Sequence, residues 1–267
     1  MSSVNESEKK TDFFEKFDEE GGSKRKLKNW NLKLVAIIAI TWSLFQLWYA
    51  SPLPFILDFG KIIDVPARSL HLAFGLTLCF LVYPSFKSKR GEPIPIYDYF
   101  FAAIGLIVTL YIFFSYESWV HRQGILAHLE IFNFKIPYEV ILGSLGIILL
   151  LEATRRAIGI PLVTIALIFL LFSIFGQSMP DLISHQGLSI TRLVGYHWFG
   201  GEAIFGIPIS VSVSFIFLFV LFGAILDAAG GGKYFLNLAF ALVGKMRGGP
   251  AKAAILASGL TGLISGS

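Results

Sequence analysis

Charged residues and cysteine are both scarce in this sequence of 267 residues. Asp, Glu, Lys and Arg make up 15% of it, whereas 55% is hydrophobic and the mean hydropathy is +0.69. A water-soluble domain of this size cannot bury so much apolar surface, so a lipid bilayer is the expected solvent. The single cysteine, Cys79, lies inside an apolar run, and a lone cysteine excludes an intrachain disulfide.

The sequence also lacks the residue patterns of common catalytic sites. It has no nucleophile placed beside a base, no phosphate-binding glycine loop and no paired carboxylates within an apolar run. No pair of its five histidines has helical ligand spacing inside an apolar run, so we expect no metal site. A haem-binding redox protein is a further alternative, and it would need histidines within the apolar runs. The basic residues form short clusters beside apolar runs, which indicates membrane topology rather than nucleic-acid binding. We therefore expect neither an enzyme nor an organic cofactor.

Six apolar runs each approach the roughly 20 residues that cross a bilayer. They extend over residues 32–49, 69–83, 97–116, 138–151, 160–175 and 205–226. Residues 1–30 are polar and lack the apolar density to pack, so we expect a disordered cytoplasmic tail there rather than a cleaved signal peptide. The sequence thus predicts an all-α polytopic membrane protein with about six transmembrane helices.

Basic residues are distributed unevenly between the two sides of these runs. If the six runs cross the membrane in turn, fourteen basic residues lie on the same side of the membrane as the N-terminus and five lie on the opposite side. The larger set is Lys24, Arg25, Lys26, Lys28, Lys33, Lys87, Lys89, Arg90, Arg155, Arg156, Lys233, Lys245, Arg247 and Lys252, and the smaller set is Lys61, Arg68, Arg122, Lys135 and Arg192. Cytoplasmic flanks retain Lys and Arg in excess. The N-terminus is therefore expected in the cytoplasm.

A few charged and aromatic residues invite a functional hypothesis. Glu152 precedes Arg155 and Arg156 by three and four residues, which predicts structural ion pairs at a helix end rather than a proton carrier. Asp227 is expected at the inner end of its span, and His71 as a packing residue near an outer end. The tryptophans, including Trp198, lie mostly near span ends, where their rings suit headgroup depth.

The stretch 247–267 is unusually rich in Ala, Gly and Ser. Pro250 suits a first helical turn, and about fourteen residues follow before Ser265, too few to cross about 30 Å at 1.5 Å per residue. A helix that breaks near the bilayer midplane would offer backbone carbonyls and serine hydroxyls to a small cation. An ordinary helix with small residues packed against its neighbours explains the composition equally well.

Several motifs in chain order resemble the large membrane subunit of tripartite ATP-independent periplasmic (TRAP) transporters. They are Phe-Gly-Ile-Pro at 205–208, Gly-Lys-Met-Arg-Gly-Gly-Pro-Ala at 244–251 and Ile-Ser-Gly-Ser at 264–267. Residues 151–156 with Gly159 are similar to the fused 4TM/12TM permeases of the TAXI branch. The resemblance implies an elevator-type symporter that receives a small organic solute, such as a carboxylate, from an extracytoplasmic TAXI-type solute-binding protein and is coupled to Na⁺ or H⁺.

The resemblance also implies a domain organisation. Residues 31–155 correspond to the small subunit, a four-helix scaffold, and residues 156–267 to the start of the large-subunit transport module, which would end within its first re-entrant hairpin. Ser265, Gly266 and Ser267 fall on the tip of that hairpin, where the family binds sodium. A second hypothesis, a membrane scaffold or assembly protein without transport, fits the apparent lack of buried charges in the first five apolar runs.

Overall fold

The computed structural model of the chain describes residues 24, 25, 27, 29–86, 93–131 and 134–265. Helices dominate this part. They are α1 Asn29–Ala50, α2 Leu53–Ile56, α3 Asp64–Val82, α4 Ile96–His121, α5 Tyr138–Ala157, α6 Ile160–Ile174, α7 Ile190–Val194, α8 Ile207–Ala228, α9 Gly231–Val243 and α10 Gly249–Ser265. The predicted helical, multi-pass membrane architecture is confirmed.

Four of the described helices are long and apolar enough to cross a bilayer, namely α1, α3, α4 and α8. Each coincides with one of the predicted runs. The runs at 138–151 and 160–175 correspond to α5 and α6. α5 carries charges at both ends, and α6, with 15 residues, rises only about 22 Å. The total of six crossings therefore stays a prediction.

The first helices pack into one bundle in which α3 lies along α4 and contacts both α1 and α5. Two buried clusters fill it. One contains Leu76, Phe80 and Leu149 in the half towards the C-terminal ends of α3 and α5. The other, in the opposite half, joins residues of α3, α4 and α5 to Trp198 and Phe205. Residues after 190 thus share a core with the first helices.

Two glycines of α5 let this shared core close. A Cβ on Gly143 or Gly146 would overlap the side chains of Val194 and Trp198, so only glycine allows the segment after α7 to lie directly on α5. Trp198 is 0% exposed as a result. The expectation that Trp198 anchors the protein at headgroup depth is wrong, because the ring is buried between helices.

A short β-hairpin departs from the all-α prediction. Strands β1 Leu129–Ile131 and β2 Phe134–Ile136 pair antiparallel, with Leu129 opposite Ile136, in the connection between α4 and α5. The alternation of apolar and polar residues in so short a run is a weak signal, and the hairpin lies between the apolar runs predicted at 97–116 and 138–151.

α9 and α10 form a separate antiparallel pair after Gly230, which adopts the left-handed conformation that favours glycine (φ 89°). Ala239 of α9 packs against Ala253 and Ala257 of α10, and these small side chains bring the two helix axes close together. α8 also contacts both helices. α9 rises only about 20 Å, less than the thickness of a bilayer core.

Candidate functional site

The pairing of α9 with α10 brings the C-terminal part of α10 next to the end of α8. Asp227 of α8, Gly232 and Phe235 of α9, and Thr261 of α10 line one cavity of about 370 Å³. Gly223 and Gly232 keep it open because they carry no side chain. The Asp227 carboxylate is exposed, and Thr261 donates its hydroxyl to the Ala257 carbonyl at 2.9 Å. The cavity is thus lined by one carboxylate that makes no hydrogen bond within the described residues and by one hydroxyl that already donates a hydrogen bond.

The predicted cation-binding residues lie at and beyond the end of α10. Ser265 is the last residue of that helix, one turn after Thr261, whereas Gly266 and Ser267 lie outside the described residues. The assignment of a cation to Ser265, Gly266 and Ser267, and the re-entrant form of the hairpin, stay predictions. α10 pairs with α9 through a turn at 244–248, so the C-terminal end of α10 lies beside Asp227 rather than far from it.

A polar seam connects the first helices to α8. Gln46 of α1 donates Nε2 to the Val213 carbonyl at 2.9 Å, and Arg68 of α3 donates to the Phe205 carbonyl at 2.8 Å. Val213 lies in a π-helical turn, Ser212–Ile216, which interrupts the regular hydrogen bonding of α8. A π-turn at such a place often marks a functional position.

His71 extends the same seam. Trp42 donates its indole N–H to His71 Nδ1 at 3.2 Å, so Nε2 carries the proton and donates to Ser212 Oγ at 3.1 Å. The ring is 7% exposed and links α1, α3 and α8. The expected packing role of His71 is therefore supported, with the difference that the histidine is hydrogen-bonded on both nitrogens.

Buried charges lie at one end of the bundle, which corrects the expectation that the first five spans lack them. Asp98 is 0% exposed and receives hydrogen bonds from Arg25 at 2.7 Å and Arg156 at 2.6 Å. Glu152 binds Arg155 at 2.7 Å and Arg156 at 2.8 Å, which confirms the pairing predicted from their spacing. Arg25, placed by the sequence in the polar tail, is 5% exposed and is part of this cluster.

A second buried carboxylate lies at the opposite end of the bundle. Glu139 is 0% exposed and accepts two hydrogen bonds from Arg122, at 2.6 and 3.0 Å, and one from the Tyr111 hydroxyl at 2.6 Å. The backbone N–H of Ala127 also donates to it. The hydrogen bonds that Arg122 donates to Glu139 raise the pKa of Arg122. Together, the hydrogen bonds to Glu139 fix the connection between α4 and α5 onto the bundle.

The same end carries a cavity of about 630 Å³. Trp119, His128, Arg192, Tyr196 and Glu202 are among the residues that line it. Arg192 is exposed and its guanidinium has no hydrogen bond or ion pair among the described residues, in contrast to Arg122. Of Arg122 and Arg192, Arg192 alone has a guanidinium without a hydrogen bond or ion pair among the described residues.

The remaining histidines do not assemble into a metal site within the described residues. No group of three or more His, Cys, Asp and Glu side chains there has suitable geometry. His185 accepts from the Gly187 N–H at 3.1 Å and lies 3.0 Å from the Phe172 carbonyl, and His197 lies 3.0 Å from the Leu193 carbonyl. These rings hold loops and helix turns in place.

Asp98, Glu139 and Gln46 were missed by the sequence analysis. Two of them share a weak signal, since each acidic residue lies in the first turn of a helix that follows a proline, Pro95 or Pro137. An acidic residue in the first turn is favourable to the helix dipole. Because the dipole alone explains an acidic residue at this position, the sequence does not indicate that the residue is also in a buried ion pair. Gln46 gives no signal beyond being a polar residue in an apolar run.

Part of the chain is similar to a known protein family. Residues 145–267 match the family model "Tripartite ATP-independent periplasmic transporter, DctM component". The DctM match begins within α5 and includes α6 to α10. Two of the three arginines of the buried cluster, Arg155 and Arg156, therefore fall inside it, as do the π-turn of α8 and the α9–α10 pair. The matched part of the chain is thus similar to a transporter component.

A curated relative matches over a similar length. It is "Uncharacterized protein YgiK" of Salmonella typhimurium, which is 35% identical over 136 residues, 51% of this chain and 27% of that protein. The chain matches only about a quarter of the length of this relative. No solved structure matches the chain.

Proposed function

We propose that this chain forms part of the membrane permease of a binding-protein-dependent secondary transporter, which imports a small organic solute, a carboxylate, by cation symport. The observation that carries the proposal is the DctM match over residues 145–267, on a chain that is built from apolar helices long enough to cross a membrane. The resemblance of residues 151–156 and Gly159 favours a TAXI-type permease with fused small and large subunits, together with a TAXI-type solute-binding protein outside the cell.

The contacts of α8 support a division into a fixed part and a moving part. Gln46 and His71 hold α8 on the first helices by hydrogen bonds. Arg68 holds the carbonyl of Phe205, just before α8, and Phe205 is buried in the shared core. α9 and α10 follow Gly230 and have their own small core. We place the start of the moving element at Gly230, whereas the boundary at residue 156 that the resemblance implies separates the small-subunit part from the large-subunit part.

The coupling ion is Na⁺ or H⁺, and Ser265, Gly266 and Ser267 are the proposed ligands for a cation. The support is chemical. Glycine and serine at the end of a helix present carbonyl and hydroxyl oxygens, which are the ligands that hard cations prefer. Asp227 faces the cavity that also contains Thr261, one turn before Ser265, and supplies negative charge nearby. The N-terminus is proposed on the cytoplasmic side of the inner membrane.

The alternative, a scaffold protein without transport, depended on an absence of buried charges in the first helices. Asp98 and Glu139 remove that argument, since both are fully buried. The alternative therefore has no structural observation in its favour.

The test is uptake of labelled organic acids into proteoliposomes that contain the complete permease. We expect uptake when the cognate binding protein is outside and a sodium or proton gradient is imposed, and none when the binding protein is omitted. A panel of carboxylates, with neutral and cationic solutes as controls, reports the substrate class. Uptake that persists without any ion gradient would contradict symport, and no uptake by a well-folded complete permease with its binding protein would contradict the proposal itself.

A further inference from the structure

A cavity of about 480 Å³ adjoins the buried cluster of Arg25, Asp98, Glu152, Arg155 and Arg156. The chain segment that links α5 to α6 forms most of it, from Arg155 to Pro161, and Pro84, Ser85 and Phe86 form the facing wall. The cavity thus lies where three helices, α3, α5 and α6, end or begin at the same face of the bundle.

The charge in this cluster does not balance. Three guanidinium groups, of Arg25, Arg155 and Arg156, face two carboxylates, of Asp98 and Glu152. Within the described residues one positive charge is therefore left over. Water is largely excluded from two of the three guanidinium groups, since the side chains of Arg25 and Arg156 are 1% and 0% exposed, whereas Arg155 keeps 32% of its side chain exposed. An unbalanced charge in such surroundings is costly and attracts an anion.

Arg156 also has a hydrogen-bond donor without a partner. Its Nε binds Glu152 and its Nη1 binds Asp98, but Nη2 is buried and makes no hydrogen bond within the described residues. Arg156 is one of the residues that line the cavity. A buried, unpaired donor of a charged group is expected to find an acceptor.

The start of α6 adds a donor at the same cavity. Its N-cap, Gly159, has a φ of 120° and offers no side-chain cap, and the first residues, Ile160 and Pro161, line the cavity. The Ile160 N–H is the donor there, because Pro161 has no N–H and the Gly159 N–H already donates to the Thr154 carbonyl at 3.1 Å. The first N–H groups of a helix have no partner within the helix, and they carry the positive end of its dipole. Phosphate groups bind at such helix ends.

The rim of the cavity is apolar. Phe86, Ile158 and Ile160 are 63%, 70% and 67% exposed, and the Phe86 ring lies 6.0 Å from the Arg155 guanidinium. Arg155 keeps 32% of its side chain exposed, so it can reach a ligand at the mouth. Cationic groups at headgroup depth beside exposed apolar side chains match the two parts of a phospholipid, its phosphate and its acyl chains.

We propose that this cavity binds the phosphate of an anionic phospholipid. Arg155 and the first turn of α6 hold the phosphate, Arg156 supplies charge from behind, and the acyl chains lie on Phe86, Ile158 and Ile160. The bound lipid offsets the excess positive charge of the cluster. This proposal is independent of transport, because it depends only on the contacts between α3, α5 and α6.

The test is a binding titration on the purified chain in a neutral detergent. The shift in thermal unfolding temperature is recorded with phosphatidylglycerol, with phosphatidylcholine and with inorganic phosphate, and native mass spectrometry counts the lipids retained. We expect phosphatidylglycerol to stabilise the protein and to remain bound as one molecule. Phosphatidylcholine has the same phosphate diester but no net charge, so an equal response to it would show that an anionic lipid is not selected. An equal response to inorganic phosphate would show a free-anion site. Either result overturns the proposal.

Two variants with opposite expected effects separate lipid binding from a purely structural ion pair. Arg155→Gln should weaken phosphatidylglycerol binding about fivefold, as expected for one arginine at an anionic surface. Glu152→Gln should strengthen it, because it removes a carboxylate that competes for Arg155. If both variants only lower the unfolding temperature and leave lipid affinity unchanged, the cluster is an anchor alone.

Controls keep the result interpretable. Arg155→Lys retains the charge and should retain binding, even if Arg155→Gln folds poorly. Arg192→Gln, at the other end of the bundle, removes one exposed arginine and should leave the affinity for phosphatidylglycerol unchanged. A loss of affinity in the Arg192 variant equal to that in Arg155→Gln would show that the lipid responds to net charge and not to the cavity.

Discussion

Arg156 donates to Asp98 at 2.6 Å across 58 residues of sequence, and both side chains are fully buried. The guanidinium also lies 4.9 Å from the Phe80 ring and 5.5 Å from the Phe101 ring. This single arginine therefore joins α3, α4 and α5. Since Arg155 and Arg156 belong to the part that matches the DctM component and Asp98 does not, the pair also joins the matched part of the chain to the part before it.

Replacing Asp98 with Asn is expected to destabilise the bundle. The change leaves Arg25 and Arg156 buried without their carboxylate, and the loss of one partner from a buried pair costs about 3–5 kcal/mol. The unfolding temperature in detergent measures the effect. Asp64→Asn is the matched control, since Asp64 has 74% of its side chain exposed. Equal stability of the two variants would contradict a structural role for the Asp98 pairs.

The contrast between Glu152 and Asp98 shows what the sequence could predict. The pairing of Glu152 with Arg155 and Arg156 follows from helical periodicity, since all three lie within one turn. The pairing of Asp98 with Arg25 and Arg156 depends on how distant helices meet, which no local pattern encodes. The apolar runs predicted where helices lie for the same reason, because each run is a local property. The burial of Trp198 against Gly146 required the tertiary fold.

The candidate site divides in the same way. The composition of residues 247–267 predicted the small-residue contacts of α10, and Ala253 and Ala257 indeed pack against α9. The partner helix could not be predicted, because small residues permit close approach to any neighbour. The π-turn of α8 and the seam that holds it were also beyond the sequence, since Gln46, His71 and Val213 are far apart along the chain.

Replacing Gln46 with Leu is expected to weaken the attachment of α8 to α1. The variant leaves the Val213 carbonyl without the donor that now lies at 2.9 Å, at a cost of about 1–2 kcal/mol. The measurement is again the unfolding temperature, combined with hydrogen exchange of the amides of α8. Thr164→Val serves as the control because Thr164 is exposed on α6. Unchanged exchange in α8 would show that the seam does not hold this helix.

Charge reversal is expected to have different effects at Arg122 and Arg192, the two arginines on the proposed outer side. Arg122→Glu places a second carboxylate against buried Glu139 and is expected to lower the unfolding temperature sharply. Arg192→Glu breaks no contact within the described residues, so the protein should fold normally. We expect it instead to slow uptake that depends on the solute-binding protein, more so at low salt, as for charges at the rim of an interface.

The outer loops 51–65, 117–137 and 178–203 are the surface on which that partner is expected to dock. If Arg192→Glu supports uptake at the parental rate in both high and low salt, Arg192 has no part in docking. A fall in the unfolding temperature of Arg192→Glu to that of Arg122→Glu would contradict its assignment as a free guanidinium.

The uneven distribution of basic residues predicts which loops face the cytoplasm. On a Cys79→Ala background, a cysteine at Ser3 or Ser88 should resist an impermeant thiol reagent added to intact cells and should react after the membrane is opened. A cysteine at Glu117, at the end of α4, should react from outside because Glu117 is exposed. The reverse pattern would place the N-terminus outside and invert the topology.

The last prediction concerns the proposed cation site at Ser265, Gly266 and Ser267. Valine at 266 would crowd the proposed hairpin tip and restrict its backbone, whereas Ser267→Ala would remove one hydroxyl and leave the proposed carbonyl ligands. In the complete permease, Gly266→Val should therefore abolish uptake, and Ser267→Ala should only raise the sodium concentration needed for half-maximal uptake. The order of the two effects distinguishes cation ligation from packing. If Gly266→Val protein is present in the membrane at the parental level and takes up solute with the same ion dependence, these three residues contribute packing alone, and the cation must bind elsewhere.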